Sequence, residues 1–329
     1  MYPDNLKFTE NLTNNNYKWG LLGNFDVYIG LKDNIEYLVY INKQNHNLEI
    51  MRINDKTIIS SLKGHNNDMV IHTFIIRYYQ NNNKEEYIIS GDSELLIIWD
   101  IQDNYNEKYI LKLQNNEYYC YDALLLFNIF NQNYILISNT IDKYSSLYLL
   151  NENTPFIKNI DGTEKNDTRF MIPWKNNNKE YVIDCCINKI SINNIFEDDC
   201  YANFIIPGSH LCGYIYDEND ENYLCVNDYS NSIIRIWNLS TKIFFKQIQY
   251  YAKKGAGITP WNNEFAIIAC EDCLVIMNIY EGKMVKKITT KDKHYFKEVK
   301  KIKISNLGEC LISSDNGGNI ILYSLQLNK

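Results

Sequence analysis

Short apolar runs, rich in isoleucine, leucine and tyrosine, alternate along the whole chain with clusters of Asn, Gly, Asp and Pro. The clusters return at intervals of roughly eight to twelve residues, the spacing of short antiparallel strands joined by turns. Asn81-Asn82-Asn83-Lys84-Glu85-Glu86 precedes Tyr87-Ile88-Ile89-Ser90; a stretch from Pro173 to Glu180 precedes Tyr181-Val182-Ile183; Pro260-Trp261-Asn262-Asn263-Glu264 precedes Phe265-Ala266-Ile267-Ile268. No amphipathic stretch of helical period and useful length competes with this pattern. The chain is therefore expected to be all-β.

The runs are organised at a longer period. Leu95-Leu96-Ile97-Ile98-Trp99-Asp100 and Ile233-Ile234-Arg235-Ile236-Trp237-Asn238 are the clearest copies of one unit, an apolar run closed by a large residue and a polar turn-former. Weaker copies place the large residue at Ile53, Leu150, Ile192, Met277 and Tyr323, and in all seven the next residue is Asn, Asp or Ser. From Ile53 to Tyr323 the six steps average 45 residues. Repeats of this length, each with four short strands, indicate an array in which every unit buries its faces against its neighbours.

Gly64-His65, Ser90-Gly91-Asp92 and Trp99-Asp100 carry a specific resemblance. With Gly208-Ser209-His210 before Trp237, and His294, Ser313-Ser314-Asp315 and Tyr323 in the last unit, the chain resembles the WD-repeat family of β-propellers. The third, fourth and sixth copies lack both the Gly-His pair and the Trp-Asp. The resemblance implies a seven-bladed β-propeller of four-stranded antiparallel blades, one domain spanning residues 1–329. Only six residues follow Tyr323, too few for a turn and a final strand, so Leu6 to Leu12 is expected to supply the outer strand of the last blade. Residues 1–16 are then a closing strand and lead-in, and 17–329 the seven blades. Closure of this kind removes an exposed sheet edge.

Composition narrows the function. The formal net charge is −7, against the basic footprint that a general nucleic-acid binder needs. Lys283 to Lys303 is the one basic stretch, with nine lysines; it reads either as solvated strand edges or as a dock for an acidic partner. The longest apolar stretch, around Ala123 to Phe130, is too short to span a bilayer. Nine cysteines without a secretory signal imply reduced thiols in the cytoplasm, or alternatively the nucleus. Asparagine is very common and alanine scarce, which reads as AT-rich codon usage expressed on surface and loop positions.

Catalytic motifs are missing: there is no phosphate-binding Gly-rich loop and no Gly-x-Ser-x-Gly elbow. Glu197-Asp198-Asp199 and the acidic run from Asp217 to Glu221 fall in expected turns. Cys270-Glu271-Asp272-Cys273 is the only Cys-x-x-Cys; without a second pair it reads as a plain hairpin rather than a zinc site. No cofactor and no metal is expected. Within the resembled family His65, Ser90, Asp92 and Trp99 form a structural hydrogen-bond set, with Ser93 an alternative to Asp92 as acceptor; the fifth blade has Asn231 where an Asp is expected. The paired arginines of lipid-binding propellers are absent, since Arg52, Arg77, Arg169 and Arg235 are isolated.

The expected function is a non-enzymatic scaffold or assembly subunit that holds a peptide or protein on its loop face, with no small-molecule substrate. The competing reading is a propeller enzyme or metal protein using the central channel. Loops joining blades, and the turns between second and third strands, offer Tyr118, Tyr119, Arg169, Tyr229, Tyr250, Tyr251, Lys253, Lys254, Tyr295 and Phe296 as binding residues. With 27 tyrosines in the chain, packing between blades is the alternative for each. Trp174 and Trp261, at the opposite turns, read as packing lids.

Overall fold

The computed structural model describes residues 6–13, 25–42, 45, 47–65, 75–91, 95–112, 121–129, 131–139, 144–151, 156–161, 168–186, 188–197, 199–205, 208, 210–289, 296–315 and 319–325. Their regular structure is all strand, in seven four-stranded antiparallel sheets, each of which is one blade with strands a to d in chain order. The fold is a seven-bladed β-propeller.

Two compact units divide the chain. Residues 24–204 hold blades 1 to 4. Blade 1 is β2 (Phe25–Ile29), β3 (Glu36–Ile41), β4 (Leu48–Arg52) and β5 (Ile58–Leu62). Blade 2 is β6 (Ile75–Gln80), β7 (Glu86–Gly91), β8 (Leu95–Asp100) and β9 (Asn106–Lys112). Blade 3 is β10 (Tyr121–Ile129), β11 (Gln132–Asn139), β12 (Tyr144–Leu149) and β13 (Phe156–Asp161). Blade 4 is β14 (Thr168–Asn176), β15 (Lys179–Cys186), β16 (Lys189–Asn194) and β17 (Cys200–Ile205).

The other unit joins residues 1–23 to 205–329. Its blade 5 is β18 (His210–Glu218), β19 (Glu221–Asp228), β20 (Ile233–Asn238) and β21 (Ile243–Gln249). Blade 6 is β22 (Gly255–Pro260), β23 (Phe265–Cys270), β24 (Cys273–Asn278) and β25 (Lys283–Thr289). Blade 7 takes three strands from the C-terminal segment, β26 (Phe296–Ile304), β27 (Gly308–Asp315) and β28 (Ile320–Leu325), and its outer strand from β1 (Leu6–Thr13). β1 runs antiparallel to β28 from Leu6 opposite Leu325 to Thr13 opposite Ile320. Thr9 Oγ1 and Ser324 Oγ are 2.7 Å apart, and the Ser324 amide donates to Thr9 Oγ1 at 2.9 Å.

The inner strands explain the unbroken apolar runs. Every residue of β3, β7, β23 and β24 is buried, so both faces of these strands meet protein. Neighbouring blades within each unit share clusters: Val39 and Ile50 with Ile88, Ile97 and Trp99; Ile89, Ile98 and Leu111 with Leu124, Ile135 and Ile137; Cys225, Ile236 and Ile248 with Ile258, Ile268 and Val275. Outer strands β9 and β21 instead show the same mostly exposed pattern, as edge strands do.

Strand register corrects part of the repeat. Trp99, Trp237, Met277 and Tyr323 occupy equivalent positions, each with the next residue paired to an early position of strand b. The equivalents in the other blades are Met51, Tyr148 and Asn193, not Ile53, Leu150 and Ile192. Ile53 and Leu150 fill the position two residues later. There the amide crosses to strand b in six blades: Ile53 to Glu36 O (3.0 Å), Ile101 to Glu86 O (3.1 Å), Leu150 to Asn133 O (2.8 Å), Ile195 to Glu180 O (3.0 Å), Leu239 to Asn222 O (2.9 Å) and Ile279 to Glu264 O (2.7 Å). Five of these side chains are fully buried, which is why they mimic the true anchor.

Asparagine proves to be a structural choice as well as a compositional one. Seven of the 13 non-glycine residues with positive φ, among the described residues, are Asn. Asn177 (φ 48°) and Asn178 (φ 62°) form the two-residue turn between β14 and β15, and Asn219 (φ 52°) and Asp220 (φ 63°) that between β18 and β19. Such turns need two left-handed residues, which Asn and Asp tolerate best after glycine. The first of them also shortens the turn expected at 173–180, since Pro173 and Trp174 lie within β14.

Ile279→Ala tests the role of the aliphatic position. Its side chain is wholly buried in the cluster shared by blades 5 and 6. Truncation is expected to cost about 2–5 kcal/mol, read as a lower urea midpoint, whereas Ile101→Ala, at a half-buried copy of the same position, costs less.

Candidate functional site

The histidine set of blade 2 is assembled from three elements. Trp99, on β8, donates its indole N–H to Ser90 Oγ on β7 at 2.7 Å, and His65 Nε2 lies 2.7 Å from the same oxygen. Ser90 and Trp99 are buried, so the hydroxyl satisfies an indole that has no access to water. Gly64 precedes His65 because a Cβ there would lie 2.7 Å from Ile97 Cδ1 and 3.1 Å from Trp99 Cη2. Asp92 and Ser93 lie outside the described residues.

Register shows how other blades treat these positions. Ser313 and Tyr323 replace Ser90 and Trp99 in blade 7. The turn Asp is carried by Asp315 in blade 7 and by Asp228 in blade 5, not at Asn231. Asp315 Oδ1 accepts the Asn319 amide at 2.9 Å. Buried Asp228 accepts the amides of Ser230 (3.1 Å) and Asn231 (3.3 Å), the Asn231 side chain (2.8 Å) and the Arg235 guanidinium. Gly208, at φ 145°, lies against this carboxylate, and a Cβ would reach 2.8 Å from its Cγ. In blade 6 the same position is Cys270, opposite Cys273 across the β23–β24 turn. Both are free and buried, and hydrogen bonding with Cys273, then burial, raises the Cys270 thiol far above the usual range. The pair closes the β23–β24 hairpin, with the Cys270 thiol held neutral.

Strands b and d of a blade run in the same direction, so b–c turns and d–a connections share one end. At that end blades 5 and 6 build a rigid platform. Tyr250 is fully buried and donates its hydroxyl to Asn227 Oδ1 at 2.8 Å, while Asn227 Nδ2 donates to Gly255 O. Ser232 Oγ donates to Ala252 O at 3.0 Å, and the Tyr250 amide to Ser232 O at 3.1 Å. The Glu271 amide, in the β23–β24 turn, reaches Lys254 O at 3.2 Å and Lys253 O at 3.4 Å. The segment 250–254 is thus tied to three other pieces of chain. From it Tyr251 projects, 79% exposed, beside exposed Lys253 and Lys254, with Lys254 Nζ 5.4 Å from the centre of the Tyr229 ring.

Four sequence candidates, Tyr229, Tyr251, Lys253 and Lys254, therefore come together on one surface. Tyr250 lies beneath it as a strut and offers no contact area. Phe296 opens β26 and is buried against Tyr323, with ring centres 6.4 Å apart, so it is core. Arg169 sits near the start of β14 in blade 4, and its side chain is outside the described residues, as are Tyr118, Tyr119 and Tyr295. The side chain of His210 and all of His294 are likewise outside them. Trp174 and Trp261 are buried, Trp174 against Tyr181 and Tyr201, Trp261 beneath Lys301. Asn227, Asp228 and Ser232 were missed by sequence reasoning; the Asn-Asp pair closing an apolar strand before a second such strand was the available signal. No group of three or more His, Cys, Asp or Glu side chains suited to a metal occurs among the described residues.

Ser90→Ala leaves the Trp99 indole without its acceptor and is expected to cost about 1–3 kcal/mol in urea unfolding, while Ser90→Thr retains most of the stability.

No family model matches the sequence, and no curated protein does. Solved structures do match over nearly the whole length. The crystal structure of BBS1N in complex with ARL6DN, soaked with mercury, aligns with a TM-score of 0.69 at 10% identity, over 98% of this chain and 98% of the matched one. The same complex soaked with lead gives 0.70, with the same identity and coverage. At that identity the likeness is one of fold, and it is to the seven-bladed β-propeller that this chain is similar from end to end.

Proposed function

We propose that the protein is a non-enzymatic interaction scaffold or assembly subunit of the WD-repeat type, a single propeller domain that holds a protein or peptide on the loop end of blades 5 and 6. The observation that carries this reading is the tied segment 250–254. Its backbone is fixed by the hydrogen bonds of Tyr250, Asn227, Ser232 and Glu271, while Tyr251, Lys253 and Lys254 face outward. A preorganised loop loses little conformational entropy on binding, and an exposed tyrosine supplies a large contact at low entropic cost. Solved propellers of the same fold, the BBS1N structures, were crystallised with a protein, ARL6DN, which supports the reading by analogy of architecture alone. None of the seven cysteines with described side chains is in a disulfide, which fits a cytoplasmic or nuclear setting.

Affinity capture with the full chain, followed by titration of the recovered partner, tests the assignment. Tyr251→Ala is expected to weaken that partner by about 2 kcal/mol, near thirty-fold, and Lys253→Glu with Lys254→Glu to slow association. Each variant should melt within about 2 °C of the parent, because the altered side chains are exposed. Unchanged affinity in both variants would move the site elsewhere.

A further inference from the structure

The outer strand of blade 5 opens differently from that of blade 2. Register makes Ile243, Phe244 and Phe245 on β21 equivalent to Asn106, Glu107 and Lys108 on β9, including the bulge at the third residue. In blade 2 this opening of the edge strand is polar. Lys108 Nζ bonds Tyr87 Oη at 2.8 Å and Asp100 Oδ2 at 2.9 Å, and lies 4.7 Å from the centre of the Tyr87 ring. Blade 5 keeps the socket, with Tyr223 in the place of Tyr87, but covers it with Phe245 at 5.2 Å between ring centres. Ile243, Phe244 and Phe245 are 63%, 47% and 50% exposed. The fold therefore has a polar solution at these positions and this blade does not use it.

The apolar surface continues onto blade 6. Tyr280, Met284 and Val285 are exposed there, and Lys246 Nζ joins the two blades by donating to Tyr280 O at 3.4 Å. β21 is hydrogen-bonded to β20 on one side and, among the described residues, to no strand on the other. An apolar edge strand of this kind, without proline, is a template for strand addition. Lys246 defines the polarity of the occupant: its ammonium lies 5.1 Å from the Phe245 ring centre and pairs with no carboxylate among the described residues. Burial pushes its pKa down, against the opposing pull of the Glu218 carboxylate.

We infer that the outer edge of blade 5 is a second interaction surface, taking an extended partner segment of alternating apolar and acidic residues as a fifth strand beside β21. The apolar side chains cover Ile243 and Phe245, and a carboxylate meets Lys246. A second copy of this chain is a poorer occupant, because antiparallel self-pairing brings like charges together on a protein of net charge −7.

The test uses the full chain and fluorescent nine-residue synthetic peptides of alternating valine and glutamate, with alternating valine and lysine, and the acidic peptide broken by a central proline, as controls. The acidic peptide is expected to bind at least ten-fold more tightly than either control and to slow amide exchange across 243–249. Replacing the triplet with its blade 2 counterparts, Ile243→Asn, Phe244→Glu and Phe245→Lys, should remove binding while Tyr251→Ala leaves it intact, which separates this surface from the loop platform. If the triple variant does not fold, Lys246→Glu carries the same test by reversing the preference between acidic and basic peptides. Equal binding of acidic and basic peptides, or exchange protection outside 243–249, would overturn the inference. So would a dimer abolished by the triple variant, which would make the occupant a second copy, or binding confined to anionic phospholipid vesicles.

Discussion

The inner strands of each blade have no polar face to give to water. Strands such as β3, β7 and β23 are buried along their whole length, so a single four-stranded sheet of this sequence would leave apolar surface exposed on both sides. Stability must come from stacking blade on blade, and the clusters that join successive blades within each unit are that stacking. Other features follow from this constraint. In six blades the amide two residues past the anchor crosses back to strand b and fixes how the c–d turn leaves the sheet. The outer strands, relieved of burial, carry whatever polarity the surface requires.

The same constraint explains how much of the fold was legible. A strand buried on both faces shows an unbroken apolar run, and seven such runs in phase survive even where signature residues are lost. Exact phase did not survive. Ile53 and Leu150 are as apolar as the true anchors Met51 and Tyr148 and are followed by Asn, so composition favoured the wrong position by two residues. In blade 4 the anchor is Asn193, a polar residue that no search for a large apolar one could find. The closing strand expected at Leu6 to Leu12 is observed as β1, paired with β28.

The candidate site was legible as a set of loops but not as a set of side chains. Tyr250 and Tyr251 are neighbours of one type, yet the first is buried beneath the loop and the second stands 79% exposed. Hydrogen bonding to Asn227, on a strand 23 residues earlier, decides between them. Phe296 shows the same limit, since it becomes core only because Tyr323 and the rest of blade 7 close over it. Asp228 took the turn role assigned to Asn231 because a strand end, rather than a turn centre, brings a carboxylate within reach of two successive amides.

The pairing of β1 with β28 also sets an order of events. Thr9 and Ser324 are 315 positions apart, so β1 is made long before the strand it pairs with. Until β28 is made, β1 is a strand without its sheet. The entropy of closing so long a loop grows only slowly with its length. Timing is therefore the larger burden. A nascent chain of this design carries an unpaired strand while the 315 positions from Thr9 to Ser324 are added, which makes the interval before closure a period of exposure to misassembly.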